Sequence, residues 1–162
     1  MATLKISSRL KHFKLLTNID QCADNHICGS AVLDGLPRYT VMEAMAQLAA
    51  LHVRICLDFE QHAFLLKIID GQWPNQNPLC GLFLFTAEQL GQSQNAFSYA
   101  VKAEGQVDAL ILDAKLLIGT TPYSSKFEKN ALRSYYQQMV VKLESQRNKS
   151  NWLSKIAPAI PK

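Results

Sequence analysis

Glu43 and Gln47 are the residues of this chain whose type and spacing best suit chemistry. They interrupt the segment Leu36 to Leu51, Leu-Pro-Arg-Tyr-Thr-Val-Met-Glu-Ala-Met-Ala-Gln-Leu-Ala-Ala-Leu. That segment is apolar around nearly its whole circumference, which predicts a helix buried on nearly every side. Four positions apart, the carboxylate and the amide stack on one helix face. A buried carboxylate is costly unless something offsets it. The helix start favours the ionised form and burial favours the neutral form, a balance that suits a group trading protons with a substrate. A purely structural role fits as well. Thr40-Val41-Met42-Glu43 has the spacing of a capping box, with Thr40 at the N-cap and Glu43 reaching back. A capping Glu needs no substrate, and the two roles are compatible.

Around that helix the chain reads mostly as strands. His12 to Leu16 is a short extended candidate, and Asp20 to Asn25 is turn-prone. His26 to Leu33 reads as a strand ended by the turn signal Asp34-Gly35. The helix then runs to about Cys56. After a loop at Asp58 to His62, Ala63 to Ile69 is a continuous apolar strand, and Asp70-Gly71 marks a turn or bulge. A meander follows: Gly81 to Leu90, Asn95 to Ala103, and Val107 to Ile118, the last stopped by Gly119-Thr120-Thr121-Pro122. Phe97, Tyr99, Val101 and Ala103 alternate onto one face, and Glu104-Gly105-Gln106 reads as a hairpin loop. Two strands, one buried helix and about four more strands predict an α+β domain, a sheet wrapped around a single helix. Phe127, Ala131, Tyr135, Met139 and Leu143 form an apolar stripe on a further helix, which Ser125 and Glu128 can cap. The expected division is therefore a domain over 1–123, an amphipathic helix over 124–144 packed on it, and a basic, loosely ordered tail over 145–162 that carries Trp152.

A chain of 162 residues suits one domain, and its 48% hydrophobic and 19% charged content is ordinary for a soluble globular protein. Cys22, Cys28, Cys56 and Cys80 include no Cys-x-x-Cys pair, and three lie among apolar neighbours. They read as small core residues in a reducing compartment, with no metal site and no cofactor expected. No apolar run reaches the roughly eighteen residues of a membrane span. The start, Met1-Ala2-Thr3-Leu4-Lys5, lacks a signal-peptide layout, so cytoplasm is the default location.

Pro37, five residues, then Glu43-Ala44-Met45-Ala46-Gln47 resembles the central-helix signature of the hot-dog-fold β-hydroxyacyl-carrier-protein dehydratases. The resemblance spans roughly residues 10 to 122. It is specific at 37–51 and elsewhere rests on element order and on Ala63 to Pro74. It implies the hot-dog fold, usually dimeric, and an acyl thioester as substrate. Glu43 would then be the catalytic carboxylate, Gln47 the amide after it, and Gly35, Leu36, Pro37 and Tyr39 the substrate-binding helix entry. A backbone N–H at that entry would polarise the thioester carbonyl. In the family a histidine from the facing subunit shares the proton work. Its position corresponds here to Gly29, within Cys28-Gly29-Ser30-Ala31, where the usual Gly-His-Phe-Pro is missing. His26 is the nearest histidine, and its three-residue offset turns it to the other strand face unless the strand rearranges. His12, His52 and His62 carry no motif. His52 is expected on the far, exposed part of the helix and His62 in a loop.

Asp34-Gly35-Leu36-Pro37 followed by Tyr39 and Glu43 looks most like the divergent dehydratase-like proteins of aryl-polyene pathways. Those also lack the Gly-His-Phe-Pro segment, and some act beside a more active paralogue. Three readings stay open: dehydratase, hot-dog thioesterase, and a non-catalytic acyl-binding subunit. Charge bears on the partner. Residues 1–125 carry a net of −2 and residues 126–162 a net of +6. Such a segment is either a solvated basic surface or a docking face for an acidic acyl carrier protein through Lys126, Lys129 and Arg133. Coenzyme A is the alternative thiol. No nucleic-acid-binding motif is present.

Overall fold

The structure, a computed structural model, describes residues 14–106, 110–124 and 128–156, the side chains to residue 146. Eight elements follow one another: β1 (Asn18–Ala23), β2 (His26–Leu36), α1 (Tyr39–Cys56), β3 (Gln61–Gly71), β4 (Leu79–Gln92), β5 (Ala96–Gly105), β6 (Ile111–Pro122) and α2 (Lys129–Ile156). The six strands form one antiparallel sheet in the order β1-β2-β4-β5-β6-β3. α1 carries the chain from β2 across the sheet to the opposite edge, and the β4–β6 meander fills the gap. The α+β arrangement expected from element order is the one observed.

α1 is buried along almost its whole length, from Thr40 to Arg54, because Ala, Leu, Met and Val residues dominate its surface. Phe97, Tyr99, Val101 and Ala103 of β5 point at it, confirming the alternation. Phe83, Phe85 and Ala87 of β4 and Leu112, Leu116 and Ile118 of β6 complete the wall.

Several local expectations are overturned. The Asp20–Asn25 turn shrinks to Asp24-Asn25, because β1 runs on to Ala23 and pairs it with His26. Leu15 and Leu16 lie outside any strand, though Leu16 is buried. β2 does not stop at Asp34-Gly35. Gly35 takes a φ of +64° within a register irregularity between Leu33 and Leu36, so the glycine makes a bulge and pairing resumes. Likewise β6 continues through Gly119 to Pro122, held by β3. Val107, where that strand was expected to start, lies outside the described residues.

The capping box does not form. The N-cap of α1 is Arg38, with no side-chain cap, and the Thr40 hydroxyl donates instead to the Pro37 carbonyl at 2.7 Å. The cysteines are not core residues: Cys22, Cys56 and Cys80 are exposed and Cys28 half-buried, all as free thiols. α2 turns Leu132 and Leu143 inward, with Met139 and Val140 partly buried, whereas Ala131 is exposed. Tyr135, Met139 and Leu143 of the expected stripe thus face inward, and Ala131 does not. α2 also runs on to Ile156, past the boundary expected at residue 144. Ser125, Phe127 and Trp152 lie outside the described side chains. Among the described residues no helix is long and apolar enough to cross a membrane.

Candidate functional site

α1, β3 and α2 line an open-sided cavity of about 290 Å³. On α1, Glu43, Gln47, Ala50 and Arg54 recur at helical spacing and line its wall as one stripe. Arg54 follows Glu43 by about three turns, ~16 Å along the axis. β3 supplies His62 and α2 supplies Tyr136.

At the Glu43 end the geometry is directional. The Leu15 backbone N–H donates to Gln47 Oε1 at 3.1 Å, so the amide oxygen is committed to it. Gln47 Nε2 then donates to Glu43 Oε1 at 3.0 Å. Glu43 therefore spends its side chain on Gln47 and the cavity rather than on the helix start. A half-buried carboxylate with one fixed donor can accept a proton from water or substrate.

His62 is the site residue that sequence reasoning missed. Pairing of His62 with Thr121 draws it into β3, out of the loop expected for it, and onto the cavity wall. Burial, followed by the charge of Arg54, pulls its pKa down to about 4. At neutral pH it is an uncharged imidazole. The available signal was the apolar run beginning at Ala63, which needed only a two-residue extension toward the edge.

Arg54 closes the other end at 6% exposure. Its Nη2 donates to the Ala63 carbonyl, and its guanidinium lies 3.8 Å from the centroid of the Tyr136 ring.

The remaining sequence candidates fall elsewhere. Gly29 cannot be replaced by the family histidine in this backbone, because a Cβ there would meet the Asn18 carbonyl oxygen at 2.7 Å and Leu48 Cδ1 at 3.1 Å. His26 sits at the start of β2 beside Asn25, with Nδ1 and Oδ1 3.2 Å apart, and does not line the Glu43 cavity. Gly35, Leu36, Pro37 and Tyr39 gather at the α1 entry, also off this cavity. There Pro37 serves Thr40, and Tyr39 projects outward. Lys126 lies outside the described residues. Lys129 pairs with Glu60 at 2.6 Å, and Arg133 pairs with Glu60 at 2.8 Å and Asp58 at 3.7 Å. His52, expected to be exposed, is wholly buried between Tyr99 and the Ala23 carbonyl.

No protein-family model and no curated protein sequence matches the chain. Solved structures do. A mutant thioesterase from Staphylococcus aureus is 14% identical, with a TM-score of 0.58 over 72% of this chain and 100% of its own. A thioesterase from Pseudomonas aeruginosa, also solved as a mutant, is 14% identical, with a TM-score of 0.54 over 64% of this chain and 80% of its own. A hypothetical thioesterase from Streptococcus pneumoniae, solved with coenzyme A, is 15% identical, with a TM-score of 0.52 over 65% of this chain and 85% of its own. The fold is a hot-dog. Among hot-dog elements, α2 is the addition expected after the last strand. It lines the α1–β3 cavity, so here the extra helix helps form the candidate site.

Proposed function

We propose that this hot-dog protein binds acyl thioesters in the α1–β3–α2 cavity and hydrolyses them, with Glu43 as the general base. The carrying observation is the Leu15–Gln47–Glu43 relay, which holds one carboxylate in a fixed orientation on the cavity wall. In this reading Glu43 takes a proton from water as the water oxygen bonds to the thioester carbon. Collapse of the tetrahedral intermediate breaks the carbon–sulfur bond, and the thiolate leaves and takes up a proton. Attack by the carboxylate itself, through a mixed anhydride opened by water, is the covalent variant.

Hydrolysis is favoured over dehydration by Gly29, whose surroundings leave no room for the imidazole that the dehydratase resemblance requires. The dehydratase reading keeps one support, the neutral His62 on the same cavity wall, which is able to serve as the second proton-transfer group in place of His26. A non-catalytic acyl-binding subunit is the remaining alternative.

The functional unit in this proposal is a dimer, either of two such chains or with a related hot-dog protein. Among the described residues β3 pairs only with β6 and leaves Phe64, Leu65, Leu66 and Ile69 on the surface of an open edge, which a second sheet would cover. The thiol carrier is either coenzyme A or an acyl carrier protein docked at the basic α2 surface. Incubating the chain with saturated and 3-hydroxyacyl thioesters of both carriers, with product masses recorded, tests the proposal. Free acid and free thiol are expected. An enoyl thioester would move the assignment to dehydration, and no turnover with retained binding would leave an acyl-binding subunit.

A further inference from the structure

The mechanism just proposed does not use Arg54, yet Arg54 is the most costly group in the cavity. Its side chain is almost sealed from solvent, and its described partners are neutral: the Ala63 carbonyl and the face of Tyr136. Among the described residues Nε has no hydrogen-bond partner. The ion pairs among the described residues involve Lys102, Lys129 and Arg133, never Arg54. Burial pulls its pKa down, but a guanidinium remains charged at any working pH. The carbonyl end of α1 and the tyrosine ring offset part of that charge, and neither supplies an anion.

We propose that the Arg54 end of the cavity binds a carboxylate carried at the far end of the acyl chain, so that the preferred ligands are ω-carboxyacyl thioesters. The proposal rests on the acyl-thioester reading and specifies its substrate class. Glu43 and Arg54 stand on one helix stripe with only Gln47, Ala46 and Ala50 between them, a lining that suits a slender methylene chain. At about 290 Å³ the cavity lies at the small end of ligand pockets. A planar guanidinium fork matches a carboxylate with two parallel hydrogen bonds. Phosphate on a pantetheine arm offers the same charge from another source. Half-exposed Lys14, also on the lining, is the better counterpart for a group that stays near solvent.

Calorimetry on the intact chain tests this with octanoyl-coenzyme A against suberyl-coenzyme A, which has the same length and a terminal carboxylate. Free suberate is measured alongside, as are pantetheine and phosphopantetheine. Suberyl-coenzyme A should bind at least about tenfold more tightly than octanoyl-coenzyme A, as expected of a desolvated, charge-assisted pair. Arg54→Gln should remove that advantage, so that the suberyl and octanoyl thioesters bind alike. Should that variant fail to fold, the comparison of the two thioesters on the unaltered chain decides alone. Equal or weaker binding of the suberyl thioester overturns the carboxylate assignment while leaving the acyl-thioester reading intact. Binding of free suberate without either thioester overturns the thioester reading and keeps the anion site. An Arg54-dependent gain from the phosphate of phosphopantetheine, and none from the carboxylate, overturns the proposal in favour of the arm, and no binding of any probe overturns both readings.

Discussion

α1 buries polar side chains on two faces, and the two are finished differently. Toward β5 and the β1–β2 turn, His52 donates from Nε2 to the Ala23 carbonyl at 2.7 Å and accepts at Nδ1 from the Tyr99 hydroxyl at 2.6 Å. Those two bonds fix the tautomer and use both ring nitrogens, and burial pushes the Tyr99 phenol well above its ordinary pKa. Toward β3 and α2, among the described residues, Glu43 has one donor and Arg54 retains an unpartnered Nε. A buried polar group with every bond made contributes to one fold. A buried polar group with bonds still to make is where a ligand gains most.

Substitutions on the two faces should therefore separate function from stability. Glu43→Gln is nearly isosteric and should lower turnover by about 10²–10⁴-fold with the melting temperature essentially unchanged, since only the proton-transfer group is lost. Steady-state rates beside a thermal melt check it, and retained activity would return Glu43 to a structural role. Tyr99→Phe should do the reverse. It leaves His52 Nδ1 buried without its donor, costing about 1–3 kcal/mol in denaturant unfolding, with little change in kcat. A loss of activity at unchanged stability there would erase the contrast between the faces.

pH sharpens the comparison further. The folded pKa of His62 lies at about 4, below its value in the unfolded chain. The unfolded state thus gains its proton first on acidification. The stability tied to a neutral His62 is complete above about pH 6.5, is lost as pH falls toward 4, and changes no further below that. His52 is shifted in the same direction by burial. Melting temperature should fall as pH is lowered through this window, and His62→Gln should flatten part of the slope. An unaltered slope would mean that His62 is not desolvated.

The smallest effect belongs to the rim. Lys129→Ala and Arg133→Ala remove pairs that are substantially exposed, so each should cost under about 1 kcal/mol. If carrier-protein affinity falls in these variants and weakens further as salt rises, the α2 surface docks the carrier as well as seating the helix.

α1, β5 and the element order were legible because their signals are local: an all-round apolar helix and a strict alternation in Phe97, Tyr99, Val101 and Ala103. β1 was hidden behind turn-forming residues, since Ile19 and Cys22 become strand only through pairing with Gly29 and Ile27. The cysteines misled because apolar neighbours in sequence do not decide which face of a strand or helix a thiol takes. His52 and His62 have opposite histories in space but the same one in sequence. Neither carries a motif, and only the packing of α1 against β5 and of β3 against β6 separates a tyrosine partner from a cavity wall. Glu43 and Gln47 were visible as a pair, whereas Arg54 became a site residue only once α2 had placed Tyr136 over it.

The sheet order has a further consequence for how the chain is made. β3 pairs with β6, joining Gln61 to Pro122, so this edge has no hydrogen-bonding neighbour until the last strand has left the ribosome. During that interval α1, the most apolar segment of the protein, is already synthesised while β4, β5 and β6, which cover it, are not. Non-local pairing of this kind delays folding and exposes intermediates to self-association. A nascent chain halted after β3 presents the bare helix and an unpaired β3, and is the form most dependent on a chaperone.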